Sequence, residues 1–312
     1  MRKTAYIFPG QGSQSVGMGK DFFDKYFEAR EVYERADNVL EYSISDICFN
    51  GDAEKLNTTK YTQPAILTTS LAILEVFRKQ FSESISATAG HSLGEYGSLY
   101  LAGVLPLETA INITSERAKL MNEAAENTKG GMAAVLGLSE EDILKGIEEL
   151  SPNGVISVAN YNCPGQIVIT GEKELIEKSQ DVFKNLGAKR VIPLAVSGAF
   201  HSQLMGSAAD KFSEIIQNIE FKDAQISVYE NIDGMKIISG NELKHRLPKQ
   251  IYSSVMWTQT VENMIKDGID TFVEIGSGKV LAGLVKKINP DVRILNVNSI
   301  ETMESTIKEL GE

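Results

Sequence analysis

Gly90-His91-Ser92-Leu93-Gly94 follows Ile85-Ser86-Ala87-Thr88-Ala89, which alternates apolar with small polar residues as a short strand does. The run from Glu95 to Leu105 that comes next is compatible with a helix. Ser92 therefore stands at a strand-to-helix turn, the setting of a nucleophile elbow. A serine hydroxyl is a poor nucleophile until a tight turn projects its Oγ, and glycines on both sides permit that turn. The same turn aims the Leu93 amide, at the positive end of the new helix, toward an oxyanion on a carbonyl that Ser92 attacks. In a chain with 26 glycines this five-residue pattern arises by chance, so the strand-turn-helix context carries the reading.

The composition sets the bounds. At 312 residues the chain has room for one large domain, or one large and one small. A formal charge of -11 and the lack of a basic stripe with interleaved aromatics argue against a nucleic-acid partner. Cys48 and Cys163 match no metal or disulfide spacing, so no metal site is expected and a reducing, cytoplasmic setting fits. The apolar run Ala5 to Phe8 ends at Pro9-Gly10, short of a signal-peptide core, and no span reaches membrane length.

Outward from the elbow, Thr4 to Phe8 reads as a buried strand running into Pro9-Gly10-Gln11-Gly12-Ser13-Gln14, with a helix around Lys20 to Asn38. This loop lacks the third glycine of a dinucleotide fingerprint, where Ser15 stands. Gly276-Ser277-Gly278-Lys279 lacks both the leading glycine of a phosphate loop, where Val273 stands, and the hydroxyl after its lysine. Two readings of Gly10 to Gly12 remain: a tight turn, or the second amide that an oxyanion hole needs beside the one from the elbow. Thr62-Gln63-Pro64-Ala65 opens a helical run to Phe81. Leu107 to Met121 has helical period, with Ala110, Ile113, Thr114, Leu120 and Met121 on one face and Asn112, Ser115, Glu116 and Lys119 on the other. Arg117 falls on the apolar face. A guanidinium there needs an anion, either one of the chain's own carboxylates or the carboxylate of a substrate, which its planar fork fits bidentately.

Lys129-Gly130-Gly131 reads as a hinge into a segment with its own logic. Met132 to Leu138 is strand-like, and Ser139 caps a helix carrying Ile143, Leu144, Ile147 and Leu150. Val155 to Tyr161 and Gln166 to Thr170 are strands joined by the turn Asn162 to Gly165. A helix with Leu175, Ile176, Val182, Phe183 and Leu186 on one face leads to the strand Lys189 to Leu194. The βαββαβ order predicts a small ferredoxin-like subdomain over residues 129–196, inserted in a large core made of 1–128 and 197–312. Beyond it, strands at Gln225 to Tyr229, Thr271 to Ile275 and Arg293 to Val297 alternate with helices at Asn241 to Met264 and Val280 to Ile288. An α/β fold with a mostly parallel sheet covered on both faces follows.

A base for Ser92 must come from three histidines. His91 is its neighbour and points to the other side of the turn, while His245 lies in a polar helix beside Lys244 and Arg246. His201, in a loop of small residues entering a helix, is left, either as the base or as a core histidine satisfied by backbone; the helix end there favours neutral imidazole. No aspartate stands near it to orient the ring, a task that a backbone carbonyl can perform.

The constellation resembles the malonyl-CoA:acyl carrier protein transacylase family along nearly the whole chain. The matching stretches are Phe8 to Gln14, Thr62 to Ala65, Gly90 to Glu95, Arg117, Asn162 to Gln166, Gly198 to Ser202 and Gln250 to Trp257. The resemblance implies a hydrolase-like core with a ferredoxin-like insertion. It implies that Ser92 is acylated, that His201 is its base, and that the Gln250 carbonyl orients His201. It further implies an oxyanion hole from the Gln11 and Leu93 amides, Arg117 on the free malonyl carboxylate, and substrate contacts from Gln63, Met121, Phe200 and Asn162. Malonyl-CoA is then the substrate, acyl carrier protein the partner, and no cofactor is bound. Phe200 is similar to the residue of malonyl-selective members, since those accepting a methyl branch have a smaller one. Gln203, Ser254 and Ser277 depart from the prolines usual in the family, so local stiffness should fall. Gly97, where alanine or a hydroxyl is usual, should weaken its helix. The carrier of this family is acidic, as is this chain, so docking needs a local basic patch, for which Lys184, Lys189, Arg190, Lys286 and Lys287 are candidates. Two rival readings are a patatin-like lipid hydrolase with a dyad of Ser92 and an aspartate such as Asp233, and a docking module that keeps only the fold.

Overall fold

The computed structural model describes residues 2–311. In chain order the elements are β1 (Thr4–Phe8), α1 (Lys20–Lys25), α2 (Phe27–Leu40), α3 (Ile44–Phe49), α4 (Ala53–Asn57), α5 (Thr59–Gln80), β2 (Ile85–Gly90), α6 (Glu95–Leu101) and α7 (Leu107–Asn127). Then come β3 (Gly130–Leu136), α8 (Glu140–Leu150), β4 (Ile156–Cys163), β5 (Gln166–Glu172), α9 (Lys173–Asn185) and β6 (Arg190–Pro193). The chain closes with α10 (Gly206–Ile216), β7 (Ser227–Tyr229), β8 (Lys236–Ile237), α11 (Gly240–Gln250), α12 (Trp257–Lys266), β9 (Thr271–Ile275), α13 (Val280–Ile288), β10 (Arg293–Val297) and α14 (Ile300–Gly311).

The main sheet has the order β10-β9-β1-β2-β7-β8, parallel throughout except for β8 at one edge. Its central strand shows why the sequence reads as continuously apolar. Ala5 and Ile7 point into a core with Trp257, Val261 and Leu281, whereas Tyr6 and Phe8 point into the opposite core with α2, α5 and α7. Both faces are dry, as a parallel sheet covered by helices requires. The second sheet, β4-β5-β3-β6, is wholly antiparallel. Ala133 and Val135 on one face pack under α8 and α9 with Ile143 and Phe183, while Met132 on the other joins the main core.

Three expectations need correction. The helix foreseen over Lys20 to Asn38 is two helices, because Tyr26 is extended (φ -116°, ψ 135°) and turns α2 so that Val32, Tyr33 and Ala36 face the core. The helix foreseen over Asn241 to Met264 is broken between Gln250 and Trp257. There β4 competes for the backbone: Val255 N–H donates to the Ala159 carbonyl at 2.8 Å, and Tyr161 N–H donates to Val255 at 2.9 Å. Ser115, placed on the polar face of α7, is buried.

Candidate active site

β1 and β2 are neighbours in register, Phe8 against Gly90, so their following loops leave the sheet side by side at its carboxyl edge. The loop after β1 carries Gln11 and the loop after β2 carries Ser92. The two touch closely. A Cβ on Gly10 would lie 2.6 Å from the His91 carbonyl oxygen, and one on Gly94 would lie 2.2 Å from that of Phe8. A Cβ on Gly90 would lie 1.9 Å from the Gly94 backbone. The glycines thus serve close approach, while the left-handed residue is Ser92 itself, with φ 52°. Only two other non-glycine residues among those described have positive φ: Glu41, which ends α2, and His201 at 59°. Backbone strain of this kind costs about 1–3 kcal/mol per residue and persists where surroundings enforce it.

His201 Nε2 lies 2.8 Å from Ser92 Oγ. Its Nδ1 lies 2.9 Å from the Gln250 carbonyl and 3.0 Å from that of Ser253. Two carbonyls can only accept, so Nδ1 carries the proton and Nε2 presents its lone pair to the serine hydroxyl. Burial first, and the Arg117 charge second, push the His201 pKa down to about 3. The ring is a neutral base at any ordinary pH.

Arg117 is fully buried on α7. Its Nη1 donates to Gln63 Oε1 at 2.5 Å, and its Nη2 donates to Ser92 Oγ at 3.0 Å and Gln250 Oε1 at 2.9 Å. None of the ion pairs among the described residues includes it, and its Nε has no hydrogen-bond partner. Burial accordingly lowers its pKa. Of the two readings left open for this residue, an internal ion pair is not what the fold provides.

A cavity of about 90 Å³ beside Ser92 is lined by Gln11, Gln63, Leu93, Met121, Phe200 and His201, all named from sequence. His91, Met132, Asn160, Leu194 and Val196 complete it, and the last four of these sequence reasoning missed. Neither the Gln11 amide nor the Leu93 amide donates to another described residue, which leaves two N–H groups free at its edge. Asn162 is not brought to the cavity. Its Oδ1 bonds His91 Nε2 at 2.9 Å, and His91, itself a lining residue, packs on Trp257 and makes no described hydrogen bond to the serine hydroxyl. Asp233 is held at the surface by Arg246 at 2.5 Å and faces away from any dyad with Ser92, whose Oγ is shared by His201 and Arg117. His245 is exposed, as its polar helix suggested. Two further residues escaped the sequence reading. Asn231, just past β7, and Glu95, just past the elbow, are buried against the nucleophile's backbone. Their signals were faint: a polar residue at the carboxyl end of a parallel strand, and a carboxylate inside an otherwise apolar helix.

Lys184, Lys189, Arg190, Lys286 and Lys287 are exposed. Lys287 Nζ reaches Gln166 Oε1 of β5 at 3.4 Å, which puts the α13 lysines next to the small sheet. No described helix is long and apolar enough to cross a membrane, and no three described His, Cys, Asp or Glu side chains cluster as metal ligands.

The model of the acyl transferase domain matches residues 5–305. The malonyl CoA-acyl carrier protein transacylase of Bacillus subtilis (strain 168) is 42% identical over 313 residues, covering 100% of this chain and 98% of the relative. The crystal structure of the transacylase of that name from Clostridium perfringens superposes with a TM-score of 0.94 at 40% identity, covering 99% of this chain and 97% of the other. A malonyl-transacylase solved in complex with its type II PKS acyl-carrier protein superposes with a TM-score of 0.95 at 39% identity, over 98% of this chain and 99% of the other.

Proposed function

The chain belongs to the acyl transferase family and is an acyltransferase, and from that premise we propose that it carries malonyl from malonyl-CoA to acyl carrier protein through an ester on Ser92. The observation that carries the proposal is the buried Arg117 without a carboxylate, 3.0 Å from the nucleophile. It is a receptor for an acyl group that brings its own negative charge.

In the first half-reaction His201 Nε2 takes the Ser92 proton while Oγ bonds to the thioester carbonyl carbon. The Gln11 and Leu93 amides bind the oxyanion. The C–S bond breaks, and His201 returns its proton to the departing coenzyme A thiolate. In the second, the phosphopantetheine thiol of the carrier gives its proton to His201 and attacks the ester. The C–O bond breaks, and the proton goes back to Ser92. The imidazolium that forms twice is met by the carbonyls of Gln250 and Ser253 on Nδ1. Transfer between thioester, ester and thioester is redox-neutral and calls for no cofactor. Residues 129–196 act as a small subdomain between the 1–128 and 197–312 parts of the core, closing the acyl cavity with Met132, Asn160, Leu194 and Val196. The carrier docks on the exposed lysines and Arg190 beside that subdomain. With both cysteines buried and free, a cytoplasmic setting suits the protein, and fatty acid synthesis is the pathway that the relatives' names point to.

The test is the intact mass after brief exposure to malonyl-CoA, with Ser92→Ala alongside, followed by carrier protein bearing its phosphopantetheine arm. A malonyl adduct that requires Ser92 and moves to the carrier is expected. An adduct that decays to free malonate in the presence of carrier, or none at all, refutes the transfer.

A further inference from the structure

Ser92 has a left-handed backbone, and what holds it there is a cradle of three buried side chains outside the acyl cavity. Asn231 Oδ1 accepts the Ser92 N–H at 2.7 Å, and its Nδ2 donates to the Gly90 carbonyl at 2.7 Å. The Gln250 side chain donates from Nε2 to the Ser92 carbonyl at 2.9 Å and to Glu95 Oε2 at 3.0 Å. Glu95 Oε2 also accepts the Asn231 N–H at 3.2 Å, which ties the two amides to one anchor. All three residues are at most 2% exposed.

A peptide unit is planar, so fixing its oxygen fixes its N–H. The unit between His91 and Ser92 is held by Asn231 through its N–H. The unit between Ser92 and Leu93 is held by Gln250 through its oxygen, and its other end is the N–H of Leu93, a cavity-lining residue whose amide has no described acceptor. Both torsions of the nucleophile are therefore pinned by side chains. We propose that Asn231 is a positioning residue of the acyl transfer: with the Gln250 carboxamide it locks the two peptide planes flanking Ser92 and so aims Oγ and the Leu93 amide. This inference rests on the acyl-serine reading given above. The chemistry selects the residue type. Ser92 N–H demands an acceptor and Gly90 C=O demands a donor on one short side chain, which asparagine alone supplies at that length. Aspartate loses the donor once ionised, leucine loses both groups, and glutamine is one carbon too long.

The experiment compares single-turnover acylation by malonyl-CoA in wild type, Asn231→Ala, Asn231→Asp and Val261→Ala. Val261 lies in the core under α12 and makes none of the cradle's hydrogen bonds, and its truncation supplies a destabilised protein with those bonds intact. Losing the aim of one oxyanion donor costs roughly 100-fold in rate. Asn231→Ala is expected to acylate about 100-fold more slowly, with the half-saturating malonyl-CoA concentration within about threefold of wild type, since Arg117 and the acyl cavity are untouched. Val261→Ala at a comparable melting temperature is expected to keep the wild-type rate. Asn231→Asp preserves volume and carries the test if the alanine variant does not fold; the same order of loss is expected. Either folded variant acylating within threefold of Val261→Ala overturns the inference, as does a loss seen only in half-saturation. Wild-type protein that takes no acyl group overturns the acyl-serine reading as well, whereas wild-type acylation matched by Asn231→Ala overturns the cradle alone.

Discussion

Replacing Arg117 by alanine should change which acyl group the enzyme prefers, by an amount the site's hydrogen bonds allow us to set. In the protein without substrate the guanidinium bonds Gln63, Gln250 and Ser92 Oγ, all neutral partners. A malonyl carboxylate in the cavity would be its first anionic partner. Removing one member of a buried ion pair costs about 3–5 kcal/mol, because the other is left charged and dry. At about 1.4 kcal/mol per decade that is a loss of roughly 100-fold to a few thousand-fold in kcat/KM for malonyl-CoA. An acetyl group has no carboxylate to strand. Of the reacting groups it loses the 3.0 Å contact of Nη2 with Ser92 Oγ, worth about 1 kcal/mol and thus roughly fivefold. The malonyl-to-acetyl preference should therefore fall by roughly 30-fold or more in Arg117→Ala, measured as kcat/KM for both thioesters in one buffer. Arg117→Lys keeps the charge but not the fork, and should fall between. Equal losses for the two substrates would refute the carboxylate role and leave Arg117 as a support for Ser92 alone. The unliganded protein supplies a second readout. Arg117→Met removes a buried charge whose hydrogen-bond partners are all neutral, so its melting temperature without substrate should rise.

The remaining predictions concern pH and packing. Because burial and Arg117 depress His201 to about 3, its titration should put no acid limb on kcat/KM for acylation between pH 8 and about pH 5, and an acid limb centred near 6.5 would contradict a neutral base held in this environment. The same shift has a signed effect on stability. Between the ordinary value of 6.5 and about 3 the unfolded chain binds a proton at this residue that the folded chain does not, so His201 makes stability fall as pH drops through that window, read by urea melts at several pH values. Gly97→Ala should lower the melting temperature. Its gain of about 1 kcal/mol in helix propensity is opposed by a Cβ 2.8 Å from Cγ of the buried Phe8 ring, and overpacking of that kind costs about 1–3 kcal/mol.

The sequence was legible where chemistry is local. The elbow, the loop after β1, the capping of α8 by Ser139 and the βαββαβ order are each written in a few adjacent residues, and each is present. Helix ends were less legible, because tertiary bonds decide them. The break between Gln250 and Trp257 exists because β4 takes Val255 as an added partner, and no residue of that segment announces it. Two of the three missing prolines stand where a tertiary bond, unseen in the sequence, is made. At Ser277 the hydroxyl donates to the Ser13 carbonyl at 2.7 Å, and at Ser254 to the Val158 carbonyl at 2.6 Å. Each serine ties its loop to a neighbour by a bond that proline cannot make. Gly97 was read as a weak point in α6 for want of its contact with Phe8, which lies 89 positions away in the chain.

The same distinction separates the reacting groups from the groups that hold them. Ser92, His201 and Arg117 could be picked out because each is an unusual residue for its place: a serine between glycines, one of three histidines, a cation on an apolar face. Asn231, Glu95 and the Gln250 side chain are ordinary residues whose importance arises only from meeting. They meet under Ser92 because β7 lies beside β2 in the sheet and α11 ends against the elbow. The Gln250 carboxamide also accepts from Arg117, so one buried amide touches the carboxylate receptor on one side and the nucleophile's peptide on the other. Its backbone oxygen, meanwhile, fixes the tautomer of the base. A carboxylate that draws Arg117 away from Gln250 Oε1 therefore pulls on the side chain that orients the Leu93 amide. Selection of a charged acyl group and alignment of the oxyanion donor share one hydrogen-bonded part, the Gln250 carboxamide.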